Sequence, residues 1–450
     1  MGTLRTDVST VALLGYSIPA MEAMNAQDRP FVAVVPPGFG ASLDPHGITW
    51  VEWDFSRHNE VSHELYEQLK AHDVHLAVPL FEETVEWAGA LNARFRDDPR
   101  VFGRYLLFRD KAMMKRRAQI AGIRIGLFEE AEDRQDVTRF LGRVRKALTT
   151  MDHDEPPMIH MKPLDAAGAK GHRVLRSLDD VDQVREDEFP CLIETHLAGQ
   201  EFSCEVFVHD GRVRFLNITE YIRLGHTNFV PASERLEARR PVIRKAVEAL
   251  IKAFDIEYGM IHPEFFITED DEVSFGEVAA RVPGGHIFEL IQRAWGFDPF
   301  AAFVMCSDPA TTEEEIEAFF PDISQPKTYA GCVMVYPKRK VVSKVAVPDE
   351  LVQHEYYESH NLFMPIDPKV ADRVAFGDHY GTVFFEGPDP EVMRGLLEHY
   401  DRNVDFYDGP EQAPAAAELA EDEDEDEVLY SDSAARKRML ADGVEDGAGA

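Results

Sequence analysis

Two short segments carry side chains able to hold a cation against a phosphate. His262-Pro263-Glu264-Phe265 and Gly276-Glu277-Val278-Ala279-Ala280-Arg281 each read as a largely apolar strand interrupted by a glutamate. The acidic, turn-like run Thr268 to Glu272 between them predicts a hairpin that brings Glu264 and Glu277 together. Two like charges on a buried face repel unless a cation lies between them. Paired hard oxygen ligands beside phosphates suit Mg²⁺, with Mn²⁺ as the alternative. Glu264 and Glu277 are therefore the expected metal ligands. Arg281, four residues after Glu277, is placed to face a transferred phosphoryl group. The competing reading puts both glutamates on a solvated hairpin face, and their apolar flanks argue against it.

A second set of residues suits phosphate binding. Met161-Lys162-Pro163 ends a strand and leads into Leu164-Asp165-Ala166-Ala167-Gly168-Ala169-Lys170-Gly171. Small residues let backbone N–H groups approach phosphate oxygens, and lysine neutralises them. By itself the loop reads equally as a flexible turn, and it lacks the Gly-Lys-Ser/Thr of a Walker A loop. Phe108-Arg109-Asp110-Lys111 opens a helix, with Asp110 as N-cap and Gly122 as the stop. Lys115-Arg116-Arg117 on that helix reads as a solvated basic face. The run Cys191 to Phe202 is a strand, a short linker and a second strand, an arrangement able to clamp a planar base, with Glu201 accepting from ribose hydroxyls. Glu82 and Glu83 follow the carboxyl end of a strand, where open α/β sheets place ligands. Either reaches an amine substrate there, although an ordinary helix N-terminal carboxylate is the simpler role.

These residues need a framework, and the chain supplies one. In the first hundred residues, strand-like Val11–Leu14, Phe31–Val35 and Val74–Leu80 alternate with helical stretches, one carrying Val61, Leu65 and Leu69 at spacing four. Such alternation implies parallel strands with crossover helices. No dinucleotide glycine fingerprint is present. From Met158 onward, strands dominate, interrupted by a helix at about 238–254. The expected organisation is an α/β domain over 1–105, a site-bearing domain over 106–310 with a small lobe at about 125–197, an α+β element over 311–410, and a tail over 411–450.

Of 450 residues, 44% are hydrophobic and 29% charged, which fits a chain with a substantial core. The net charge of −35 disfavours nucleic acid and anionic membranes as partners. Cys191, Cys204, Cys306 and Cys332 form no CxxC pair and suggest a reducing, cytoplasmic compartment. Residues 411–450 hold 13 acidic and 3 basic side chains, with seven consecutive carboxylates from Glu421 to Glu427. That block is expected to be a disordered solubility tail, with a partner-binding arm as the other reading and no partner named.

In order and spacing these segments resemble the ATP-grasp superfamily, particularly its carboxylate–amine ligases, across about residues 80–305. The resemblance implies an α/β and α+β fold in which two lobes clamp ATP after an N-terminal parallel α/β domain, and the C-terminal element completes the larger lobe. It places Lys111 and Lys162 on the ATP phosphates, with the loop Gly168, Ala169 and Gly171 closing over them. It puts Glu194, Thr195 and the backbone through Leu197 on adenine, and Glu201 on the ribose. Glu264 and Glu277 would bind Mg²⁺, Arg281 would steady an acyl phosphate, and Gly284 and Gly285 would form the substrate-carboxylate loop. The implied reaction joins a small carboxylate to an amine, releasing ADP and phosphate. The chain departs from the family at Ala279, where many relatives have an asparagine that helps bind a second Mg²⁺. That departure motivates the alternative of an ATP-binding regulatory protein with impaired catalysis. A homodimer is left open.

Overall fold

The computed structural model describes residues 10–57, 59–150, 157–164, 171–322, 326–338, 341–364 and 379–408. The expected acidic tail and loop residues Gly168 and Ala169 lie outside them.

The N-terminal sheet is parallel, as the alternation implies. Its strands are β1 (Thr10–Leu14), β2 (Phe31–Val35), β3 (Trp50–Glu52) and β4 (Val74–Pro79), in the order β3-β2-β1-β4. β1 and β2 are continuous apolar runs because helices cover both faces of a parallel sheet. Leu65 and Leu69 of the helix Ser62–Lys70 are fully buried against it, as their spacing predicts. Three-residue β3 left no periodic signal.

A four-stranded antiparallel sheet forms the small lobe: β5 (Phe128–Ala131), β6 (Ile159–Pro163), β7 (Arg173–Leu175) and β8 (Cys191–Thr195), in the order β5-β8-β6-β7. The helix Arg134–Thr150 covers it.

The remaining strands are β9 (Gln200–His209), β10 (Arg212–Arg223), β11 (Thr227–Val230), β12 (Tyr258–Ile267), β13 (Val273–Ala279), β14 (Tyr329–Met334), β15 (Lys344–Val345), β16 (Tyr357–Leu362), β17 (Gly381–Gly387) and β18 (Tyr407–Asp408), most of them in one large sheet. Eight of these run β13-β12-β9-β10-β11-β14-β17-β16, while β15 and β18 pair separately. The β11–β14 pairing joins the C-terminal element to the larger lobe, and this is what makes one continuous surface for the site.

The main core crosses from the N-terminal sheet to the eight-stranded sheet. Leu13 and Val78 share a cluster with Phe207, Phe215, Trp295 and Phe303. Phe303 lies on the helix Pro299–Ser307, which is apolar nearly all round and therefore buried. Arg29 closes this seam from the polar side by pairing with Asp308 at 2.5 Å.

Candidate active site

The site is assembled where the helix Lys111–Ile120 and strands β6, β8, β12 and β13 meet. Asp110 caps that helix, accepting from the Met113 amide at 2.9 Å, as its position in the sequence suggests. The Lys111 amide donates to the Leu164 carbonyl at 3.3 Å, tying the helix start to the segment leaving β6. One turn on, Lys115 is only 2% exposed. Its Nζ lies 2.7 Å from Glu194 Oε2, and Lys162 Nζ lies 2.7 Å from Glu194 Oε1. Glu194 on β8 therefore sits between two ammonium groups. Burial alone would raise its pKa, but Lys115 and Lys162 outweigh that and hold the carboxyl well below its usual range. Burial likewise works against charge on Lys162, and Glu194 and then Glu277 overcome it, raising its pKa.

This corrects the reading of Lys115 as part of a solvated face. Spacing four from Lys111 puts both lysines on one side of the helix, and that side faces the sheet. Arg117 is also engaged, donating to the Ala253 carbonyl at 2.5 Å. The Glu194 carboxylate is thus engaged by both lysines, and the β8–β9 linker follows directly after it.

Glu264 and Glu277 are direct cross-strand partners in the β12–β13 hairpin, so their side chains share a face. Lys111 Nζ approaches Glu277 Oε2 at 3.9 Å, and His262 Nε2 approaches Glu264 Oε1 at 3.6 Å. Burial would raise the Glu264 pKa; His262, then Lys162 and Arg281, hold it down. Two carboxylates with basic neighbours form a fitting oxygen donor set for Mg²⁺, which commonly takes its other ligands from phosphates and water. Among the described residues, no cluster of three or more His, Cys, Asp or Glu side chains is arranged as a self-sufficient metal cage.

Arg281 does not stand alone. Its Nε donates to Glu82 Oε2 at 2.8 Å, and Arg109 Nη1 donates to Glu82 Oε1 at 2.5 Å. Glu82 starts a short 3₁₀ turn just after β4, so the N-terminal sheet delivers a carboxylate into the site. Both its oxygens are bound to arginines, and it acts here as their anchor. Gly284 and Gly285 precede the helix Ile287–Trp295, and Gly285 adopts φ +62°, a conformation glycine tolerates freely. Asn228 Nδ2 donates to the Gly285 carbonyl at 2.6 Å, and Thr382 Oγ1 pairs with His286 Nε2 at 2.9 Å. The loop is thereby pinned by β11 and β17.

Of the residues expected on the nucleotide side, Thr195, Leu197, Glu201 and Gly171 are among those described. Thr195 ends β8 and its Oγ1 accepts from the Leu127 amide at 3.0 Å. Leu197 is half-buried and Glu201 lies on β9. Gly171, at φ +76°, is the described end of the loop. Beside them stands a row of three imidazoles that the sequence reading missed. His160 Nδ1 meets His172 Nε2 at 2.9 Å, and His160 Nε2 meets His196 Nδ1 at 3.0 Å. The first ring pair is stacked at 5.1 Å. Burial, then the charge of Lys162, pushes His160 down to about 4. The three histidines lie on separate segments, so no spacing rule gathers them.

Residues 173–289 match the ATP-grasp domain family. The chain is 25% identical over 177 residues to the L-arginine-specific L-amino acid ligase of Bacillus subtilis. That match covers 35% of this chain and 43% of the relative, so it spans less than half of the relative's length. An L-amino acid ligase structure from Bacillus licheniformis superposes with a TM-score of 0.70 at 16% identity, covering 89% of this chain and 99% of that one. A carboxyaminoimidazole ribonucleotide synthase from Aspergillus clavatus, complexed with ATP, gives 0.62 at 14% identity over 87% and 96% of the respective chains. With the two-lobed sheets and the matched domain together, the chain carries an ATP-grasp domain and has the ATP-grasp fold.

Proposed function

We propose that this protein is an ATP-dependent ligase that joins a small carboxylate to an amine and releases ADP and phosphate. One observation carries the reading: Lys111, Lys162 and Arg281 converge on the Glu264–Glu277 pair, and Lys115 joins Lys162 on Glu194 beside it. In a chain of net charge −35, the site gathers four cationic side chains beside its carboxylates, where a polyphosphate needs them. The matched domain and the amino-acid ligase relative point to the same chemistry.

In this reading, Lys111 and Lys162 neutralise the phosphates, and Lys115 holds Glu194 so that Lys162 stays aimed. The linker Thr195 to Leu197 and the row His160, His172 and His196 border the base, with Glu201 at the ribose. Glu264 and Glu277 would hold Mg²⁺, which when bound would screen phosphate charge. A substrate carboxylate oxygen then forms a bond to the γ-phosphorus while the bridge bond to the β-phosphate oxygen breaks, giving ADP and an acyl phosphate. Arg281, steadied by Glu82, faces the developing charge. The amine attacks the acyl carbon, the bond to phosphate breaks, and the amine loses a proton to yield the amide. The protein's contribution is placement and charge neutralisation.

Pools of amino acids and small carboxylates, supplied with ATP and Mg²⁺, should elicit ADP release only when a suitable acid is present. Mass measurement of the product should show the acid and amine joined with loss of water. ATP binding without acid-dependent ADP release across the pools would support a nucleotide-binding regulatory protein instead.

A further inference from the structure

Behind the glutamate pair lies a buried polar chain that the steps above do not use. Glu205 on β9 is fully buried and accepts four hydrogen bonds. Its Oε1 receives Ser203 Oγ and His262 Nδ1, each at 3.0 Å. Its Oε2 receives Asn217 Nδ2 at 2.6 Å and Thr219 Oγ1 at 2.7 Å. Asn217 in turn accepts from Trp295 Nε1 at 3.1 Å, at the end of the helix that follows the Gly284–Gly285 loop. Burying a carboxylate this fully is costly, and a packed apolar residue would serve stability as well. The arrangement does, however, fix one ring. With a carboxylate oxygen at Nδ1, that nitrogen must donate, and the opposite nitrogen is turned toward Glu264 Oε1, 3.6 Å away.

Strand register explains why the ring fits. His262 lies directly across from Ala279, and Glu264 directly across from Glu277, so all four side chains share one face of the hairpin. Ala279 presents only a methyl group to the space across from the imidazole. A longer side chain there would contend with His262 for it.

We propose that His262 is a positioning residue: locked by Glu205 and accommodated by Ala279, it sets the Glu264 carboxylate in the orientation that receives the metal. The inference rests on the metal-binding reading of Glu264 and Glu277. Partners of ligating carboxylates typically affect metal affinity by about 10- to 100-fold.

The test is the Mn²⁺ affinity of the ADP-bound protein, read by electron paramagnetic resonance so that turnover is not needed. His262→Leu should bind Mn²⁺ at least about tenfold more weakly, with a thermal midpoint showing that the variant is folded. His262→Gln, whose amide reaches Glu264, should recover most of the affinity. Wild-type affinity in His262→Leu, alongside weakened binding in Glu277→Gln, would overturn the positioning role alone. Unchanged binding in Glu277→Gln would overturn the metal reading and this inference with it. Should the leucine variant not fold, Gln is compared with Asn, whose shorter amide reaches only Glu205. The inference requires tighter binding in Gln, and equal affinities overturn it.

Discussion

Replacing Glu194 with glutamine should destabilise the protein by about 3–5 kcal/mol, the usual cost of removing one partner from a buried ion pair. Glu194 forms ion pairs at 2.7 Å with each of two ammonium groups, and Lys115 is 2% exposed. Glutamine keeps the shape but leaves Lys115 charged and unpaired beside the Phe275 ring, whose centroid lies 5.8 Å away. Urea unfolding should show a lower midpoint with an unchanged slope. The effect should depend on pH in a definite direction. Because the folded-state pKa of Glu194 is depressed, its contribution is complete above the ordinary glutamate value of about 4.3 and is lost as pH falls below it. The gap between wild type and Glu194→Gln should therefore narrow on acidification. A gap that is constant from neutral pH to pH 3 would contradict the assignment.

Glu277→Gln should lower kcat by at least about a hundredfold, comparable to losing one group that stabilises transition-state charge, while leaving the fold intact. Glu277 is 35% exposed at the open end of the hairpin, so its carboxylate contributes little to folding. It faces Lys111 and lies across from Glu264, which makes it the half of the pair most available to a metal. The check pairs steady-state ADP release with a thermal midpoint. Near-normal turnover in a folded variant would remove Glu277 from the metal site.

The hairpin was legible in the sequence because a short acidic turn separates two apolar strands, but its register was not: the turn pairs Phe265 with Phe275 and would put Gly276 across from Glu264, and a one-residue bulge between Glu264 and Phe265 brings Glu277 there instead. The parallel first sheet was legible from its apolar runs and the helices between them. Lys115 was not, since a lysine reads as polar whether its tip meets water or a buried carboxylate 79 positions away. Glu82 was found as a site residue but its role was not, because its partners Arg109 and Arg281 come from distant elements. The imidazole row escaped for the same reason. Sequence spacing reports neighbours on one element, and these groups become neighbours only when sheets meet.

Activation of a carboxylate as an acyl phosphate at this site has a chemical signature. The most direct measurement is trapping with hydroxylamine in the presence of ATP, Mg²⁺ and the acid that elicits ADP release. A hydroxamate should form in step with ADP and be absent in Glu277→Gln. ADP formed with that acid but without any hydroxamate would contradict it.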